Sequence, residues 1–405
     1  NLMSKEKKNK SFCMAPWVHM SIWQTGDAYP CCIYDWETPI GNVNDEGFRG
    51  VWNNDSMKEL RLKMLNGDVV DSCKTCDLYD EQGIYSYRHK MNTEYKHHQG
   101  VVDSTEKDGY VEQFNLAYFD VRFSNLCNMK CRTCGSHFSS KWGEDDYNGK
   151  PIVIEIDYPN MWKEIEEVIP TIEEIYFTGG ESLFMPHHYK LLDMLIERDK
   201  KPLIKYNSNA SRLGIGDKHI KNYWPHFEEI IYGVSFDQVG DKASYTRHGT
   251  KWDKIVENLF WIRDNNKNVV IEPSPTISIF NILDLDKIVE FLFENDLSTN
   301  FRINLSNLLV TPEYFSITLL PKELKVKAEK NINKLKKYII KKVEHIGQRQ
   351  HIIENLDKVI RFMYGKDTSD LIPRTLNEIK LIDIKRKENF FEVFPEYEIL
   401  KEYEK

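Results

Sequence analysis

Three cysteines, Cys127, Cys131 and Cys134, sit in one short loop, residues 122–137 (RFSNLCNMKCRTCGSH), directly after an apolar, strand-like run at 117–123. Their spacing, CxxxCxxC, constrains the chain more than any other feature. Three thiols in one loop make a poor disulfide framework. They also make an incomplete zinc site, because structural zinc usually takes four protein ligands. A loop of this kind suits an iron-sulfur cluster with one iron left without a protein ligand.

All eight cysteines fall in the first third of the 405 residues: Cys13, Cys31, Cys32, Cys73, Cys76 and the three of the loop. The basic start, NLMSKEKKNK, leads into Pro16, His19 and Gln24 instead of a leucine-rich core, so no secretory leader is expected. Grouped cysteines without a leader read as metal ligands in a reducing, cytoplasmic compartment more readily than as disulfides. No apolar run approaches the roughly 18 residues of a membrane helix. Hydrophobic residues at 41% and charged residues at 29% indicate a globular chain long enough for two or three domains. A net charge of -8 argues against a broad nucleic-acid footprint.

Residues 1–10 read as a tail and 11–88 as a first domain. Its cysteines are Cys13, the adjacent Cys31 and Cys32, and the pair Cys73 and Cys76. A hairpin is expected over 22–33 with its turn at 24–27, where Gly26 can supply a positive φ. A helix is expected over 55–66, stopped by Gly67. Four thiols can meet across these elements. Spacing alone leaves zinc and iron-sulfur both open. Cys31 and Cys32 are neighbours and point in different directions, so one is a ligand and the other a spare thiol. The polar stretch 89–115 reads as a linker, and His97 and His98 within it as solvated loop histidines because no third ligand lies near them in sequence.

From 116 to 320, short β-rich runs alternate with helical ones. Strands are expected at 118–124, 174–177, 203–206, 230–236, 269–279 and 300–304, with helices at 187–198, 252–265 and 285–295. This alternation implies α/β architecture with a parallel sheet, and about six units suit an open partial (β/α)6 barrel. Beyond Pro321 the chain turns helical and lysine-rich, with Leu324, Ala328, Ile332, Leu335 and Ile339 on one face. Residues 321–405 therefore form a helical extension that packs on the body.

Chemistry in such folds gathers at the carboxyl ends of strands. Those ends carry Gly179, Gly180 and Glu181, then Asn207 and Asn209, then Ser235 and Asp237, with Arg247 following. By themselves these are turn formers, loop caps and a surface arginine as readily as ligand contacts.

Taken in order, the CxxxCxxC loop and the Gly179-Gly180-Glu181 turn resemble the radical S-adenosylmethionine (SAM) enzymes. The resemblance implies a 4Fe-4S cluster on Cys127, Cys131 and Cys134 whose open iron binds the amino and carboxylate groups of SAM. It further implies that the Gly-Gly-Glu turn receives the SAM ammonium, that Arg247 binds its carboxylate, and that Asn207, Asn209, Ser235 and Asp237 hydrogen-bond to it. Thr133 stands where relatives commonly have an aromatic residue, and Ser182 where they often have proline.

Cys13, Cys31, Cys73 and Cys76, with Gly26 ahead of Cys31, look like the twitch module, a SPASM-like auxiliary-cluster domain. The likeness implies a second iron-sulfur cluster, 4Fe-4S, on these four residues. Most relatives carry that module after the barrel, whereas here it precedes it. The implied activity is reductive cleavage of SAM and hydrogen abstraction from a substrate, with an electron donor such as flavodoxin or ferredoxin. The substrate expected first is a peptide that is oxidised or cross-linked. A small polar metabolite, sugar or nucleotide is the alternative, and epimerisation would use Cys32 as hydrogen donor. A non-catalytic iron-sulfur or zinc protein is the reading from a different class.

Overall fold

The computed structural model describes residues 11–403 except 82, 84, 147 and 148, so the expected tail at 1–10 lies outside the described residues. Runs of β-branched and aromatic residues form the strands. In chain order these are β1 (His19–Ile22), β2 (Asp27–Tyr29), β3 (Gly41–Asn42), β4 (Tyr118–Val121), β5 (Glu174–Phe177), β6 (Leu203–Ser208), β7 (Ile230–Val234) and β8 (Val269–Pro273). They make one sheet in the order β8-β7-β6-β5-β4-β1-β2-β3. From β8 to β1 all neighbours are parallel, and β2 and β3 add antiparallel.

Period-two alternation gives the sheet two unlike faces. One row, Met20, Phe119, Ile175, Ile204 and Ile230, is fully buried and joins the helices in a single apolar core. The next row, Ser21, Asp120, Tyr176 and Lys205, is polar. Helices α3 (Met161–Val168), α4 (Pro186–Glu197), α5 (Trp252–Asn265) and α6 (Leu285–Glu294) follow the barrel strands, while α1 (Asp55–Asn66) and α2 (Tyr87–Glu94) belong to the N-terminal part. Between β6 and β7 the described residues form a short antiparallel hairpin, Gly214–Ile215 with Lys218–His219, and two 3₁₀ turns but no α-helix.

The α/β partial barrel and the helical C-terminus agree with the sequence, but the sixth parallel strand is not the expected one. Thr299–Phe301 is a 3₁₀ turn in which Asn300 and Phe301 have φ of 50° and 59°, backbone that no strand accommodates. The sixth place is taken by β1, which pairs with the first barrel strand. The run at 269–279 stops at Pro273 because a proline has no N–H for the ladder, and Pro275 follows. The stretch 89–115 contains the end of α2 and a helix at Gln99–Asp103, with Met91, Tyr95, Val101 and Val102 buried. The hairpin forms with Gly26 at φ 88°, and α1 ends at the left-handed Gly67.

Past the barrel lie α7 (Lys322–Lys342), α8 (Ile346–Gly365) and α9 (Ile372–Arg386). Leu324, Ala328, Ile332, Leu335 and Ile339 of α7 are buried as their spacing requires. No helix of the described residues is long and apolar enough to cross a membrane.

Candidate active site

The cysteine loop leaves the end of β4 and is fixed by its backbone. Arg247 and His248 pair antiparallel with Cys131 and Lys130. Arg132 N–H donates to the Thr246 carbonyl at 2.9 Å, and the Trp142 indole donates to the Cys131 carbonyl at 3.0 Å. All eight cysteines are thiols. Burial pushes the thiols of the loop upward, Cys134 to about 12, and their mutual charge adds to this at Cys127 and Cys134. Such a set becomes anionic only against bound positive charge. Arg247 supplies part of it: its Nη1 lies 3.6 Å from Cys131 Sγ, and its Nε donates to Asp237 Oδ2 at 2.8 Å.

The Gly-Gly-Glu turn lies directly under this loop. Gly179 and Gly180 have φ of 76° and 51°. A Cβ on Gly180 would stand 2.3 Å from the Leu126 carbonyl oxygen, so only glycine lets the two loops touch. Glu181 is fully buried. It accepts from Ser208 Oγ at 2.8 Å, Asn209 N at 2.7 Å and Leu183 N at 3.2 Å, and its own N–H donates to the Leu126 carbonyl. Its carboxylate therefore holds the end of β6, while its backbone N–H holds the cysteine loop. Asn209 Nδ2 donates to Asn128 Oδ1 at 3.0 Å, whereas Asn207 turns to the Tyr176 hydroxyl at 2.5 Å. Ser235 N–H donates to the Ser208 carbonyl, which aligns the ends of β6 and β7. Asp237, almost fully buried, receives Arg247 and the Thr276 N–H. The expected positions thus form one connected rim. Arg247 and Asp237 sit on the cysteine side of it, and Asn207 on the polar face of the sheet.

Cys13, Cys31, Cys73 and Cys76 line one cavity together with Met64, Tyr87 and Arg88. Burial pushes Cys13 and Cys73 up to about 12. A tetrahedral zinc with Zn–S bonds of about 2.3 Å would hold its sulfurs about 3.8 Å apart. Among the described residues, only His97, His98 and Glu173 bring three ligand atoms within 4.8 Å of one another. Cys32 does not line the cavity and is an exposed residue, with the charges of Asp120, Arg122 and Lys90 and the Tyr87 hydroxyl near its thiol.

The histidines at 97 and 98 are not loose in solvent, because Glu173 accepts from both at 2.8–2.9 Å. The Asn115 amide donates to His98 Nδ1 at 3.2 Å and to the Trp17 carbonyl. This leaves the proton of His98 on Nε2, facing Glu173, so hydrogen bonds hold the trio together.

The sequence matches the radical SAM superfamily over residues 121–292 and an iron-sulfur cluster-binding domain, SPASM, over residues 13–77. Residues 121–292 thus form a radical SAM domain. The N-terminal domain is of the SPASM type, and the two domains imply SAM and 4Fe-4S clusters as cofactors. A comparison with curated proteins finds no match. Among solved structures, native anSMEcpe with bound AdoMet and Cp18Cys peptide is 16% identical, with a TM-score of 0.37, over 55% of this chain and 58% of that one. Streptococcus suis SuiB bound to precursor peptide SuiA is 13% identical, with a TM-score of 0.39, over 84% of this chain and 70% of that one. The match to anSMEcpe thus spans somewhat over half the length of that protein.

This radical SAM chain holds its cysteine loop from a quarter that neither family match covers. Arg132, inside the CxxxCxxC loop and fully buried, donates to Asp383 and Glu388 at 2.5 Å each and stacks on Tyr245 at 3.5 Å. Tyr245 Oη donates to Asp383, and His248 Nδ1 pairs with Glu388 at 2.8 Å. Arg386 of α9 binds Asp145 and the Lys130 carbonyl and stacks on Trp142. Nothing in the sequence marks these partners, which lie some 250 residues apart. The only signal is an arginine placed between two ligand cysteines.

Proposed function

We propose that this radical SAM chain cleaves SAM reductively and uses the product to abstract hydrogen from a peptide, which it oxidises or cross-links with the help of the N-terminal cluster. The observation that carries the reading is the pairing of β1 with β4: the four-cysteine cavity and the cysteine loop belong to one continuous sheet. Cys127, Cys131 and Cys134 would hold the SAM-binding cluster, and Cys13, Cys31, Cys73 and Cys76 the auxiliary one. When bound and reduced, the first cluster supplies the electron that splits SAM into methionine and a 5′-deoxyadenosyl radical.

The chain's own residues do the positioning. Gly179 and Gly180 let the turn pack against Arg122 and the cysteine loop, Glu181 fixes strand end to loop, and Arg247 balances negative charge at Cys131. The polar face of β4 to β6 is where a substrate would meet this rim. The peptide preference rests on the SPASM-type domain.

Anaerobic reconstitution with dithionite and SAM tests the reading. We expect 5′-deoxyadenosine from wild type, none from the Cys127/Cys131/Cys134 triple alanine variant, and about half the iron in that variant. Cys73→Ala should keep SAM cleavage and lose the oxidised product. No 5′-deoxyadenosine from wild type would leave a non-catalytic metalloprotein.

Cys32 favours a second reading, epimerisation, because it is exposed and stays outside the four-cysteine cavity. There it would return a hydrogen atom to the substrate and be restored by one electron from an external donor such as ferredoxin and one proton from solvent. Incorporation of solvent deuterium that disappears in Cys32→Ala would select this reading over oxidation.

A further inference from the structure

Between the two cysteine sites lies a group of buried polar atoms that the scheme above leaves unused. Asp120 of β4 is fully buried; Ser21 Oγ donates to its Oδ2 at 2.8 Å, while its Oδ1 has no partner. Two residues on, Arg122 Nη1 is also buried without a partner. The Arg122 stem passes over Gly179, where an added Cβ would sit 2.8 Å from it, and its guanidinium lies 4.9 Å over Trp23. His19 of β1 is fully buried. Its Nδ1 faces the Tyr118 carbonyl at 3.1 Å and so carries the proton, leaving Nε2 as a bare acceptor with no partner. The Tyr87 hydroxyl is buried as well, with no nitrogen or oxygen partner and only the Cys32 thiol beside it.

Native structures rarely leave polar atoms buried without hydrogen bonds, and a group of such orphans points to a missing ligand. Next to them on the same face Lys205 pairs with Glu174 at 2.6 Å, and Asn207 donates to the Tyr176 hydroxyl. Single unpartnered atoms such as Ser182 Oγ and Asp286 Oδ1 are buried elsewhere, but at the seam between the SPASM-type domain and β4 several come from neighbouring residues. Tyr87 also lines the four-cysteine cavity, and Arg122 packs on the Gly-Gly-Glu turn. The orphans thus bridge from one cysteine site to the other.

We propose that His19, Cys32, Tyr87, Asp120 and Arg122 form a substrate-recognition pocket for an amide-bearing ligand, a segment of peptide backbone. This rests on the radical SAM reading and adds the contact residues and the chemistry they select. His19 Nε2 and Asp120 Oδ1 are bare acceptors that call for N–H donors, while Arg122 Nη1 and the Tyr87 hydroxyl call for carbonyl oxygens. Peptide groups offer both in alternation. A phosphate presents acceptors alone and would meet the buried Asp120 carboxylate, and a simple cation would leave Arg122 unmatched.

The test uses the reconstituted two-cluster protein with SAM. Two probes are offered at equal concentration: a pool of mixed-sequence, N-acetylated, C-amidated decapeptides and a pool of nucleoside diphosphate sugars. Retention is read by anaerobic size exclusion followed by mass spectrometry. We expect selective retention of peptides, reduced at least about tenfold in Asp120→Asn and Arg122→Met, since each removes a charge-assisted hydrogen bond. Tyr87→Phe should lose about threefold. Iron content equal to wild type is the fold control. Preference for the nucleotide sugars, or peptide retention that survives all three substitutions, overturns the pocket. Production of 5′-deoxyadenosine by the same wild-type preparation is scored separately. Its absence defeats the radical SAM reading, whereas its presence without peptide retention defeats the pocket alone.

Discussion

The strap from α9 to the cysteine loop gives a prediction with a definite size. Asp383→Asn together with Glu388→Gln removes both counter-charges of Arg132 and keeps the shapes of the side chains. The Arg132 side chain is 0% exposed, against 12% and 20% for its partners. Stripping the partners from a buried charge costs about 3–5 kcal/mol. Because the acids reach some water, the lower figure, about 3 kcal/mol, is the better guide. That amounts to roughly a hundredfold increase in opening of the loop, at about 1.4 kcal/mol per factor of ten.

The penalty falls on the loop that carries Cys127, Cys131 and Cys134, not on the four-cysteine cavity. Anaerobic release of iron to a ferrous chelator should therefore split in two in the variant. About half the iron leaves roughly a hundredfold faster than in wild type, and the rest at the wild-type rate. Adding Arg132→Met removes the orphaned charge and should restore most of the lost retention, because whole buried ion triads are replaceable by apolar groups. Release within threefold of wild type, or equal acceleration of both halves, would refute the strap.

Gly180→Ala forces a left-handed alanine, which costs about 1–2 kcal/mol, and also drives Cβ into the Leu126 carbonyl oxygen at 2.3 Å. Gly216 has nearly the same φ with nothing within 4 Å of its Cβ position, so Gly216→Ala should pay only the conformational part. Equal shifts of the denaturant midpoint would show that the close approach does not matter. Asp284 offers a pH signature. Burial pushes its carboxyl up, but the ammoniums of Lys242 and Lys287 and the Gln238 amide outweigh this and hold it below its ordinary 3.8. A depressed carboxyl contributes stability above its unfolded value and loses it as pH falls through the folded one. The melting-temperature gap between wild-type apoprotein and Asp284→Asn should therefore be full at pH 6 and shrink below about 3.8; a gap independent of pH would disprove the ion pairing.

The helices on α1, α5 and α7 and the strands β4 to β7 were legible because local periodicity and a defined stop, such as Gly67, carry their own signal. The cysteine loop and Gly-Gly-Glu were legible for a different reason. Their ligating and close-approach chemistry admits few residue types, so it survives as a short motif. The four auxiliary cysteines stood out by grouping, although spacing could not choose between zinc and iron-sulfur; the match of residues 13–77 to an iron-sulfur cluster-binding domain did.

What the sequence by itself determined is therefore the local chemistry: a strand ending in three thiolates, a glycine turn to meet it, and a second thiol set. Only the tertiary structure decided how these are joined. It put β1 in place of the expected last strand, where Asn300 and Phe301 take left-handed backbone. It brought Asp383 and Glu388 onto Arg132 across some 250 residues, and gathered Tyr87, Asp120 and Arg122 around Cys32, with His19 against Tyr87. Hydrogen bonds and ion pairs between distant segments leave no periodicity or spacing in the chain, since each partner alone is an ordinary polar residue. Their meaning exists only once packing removes the water between them.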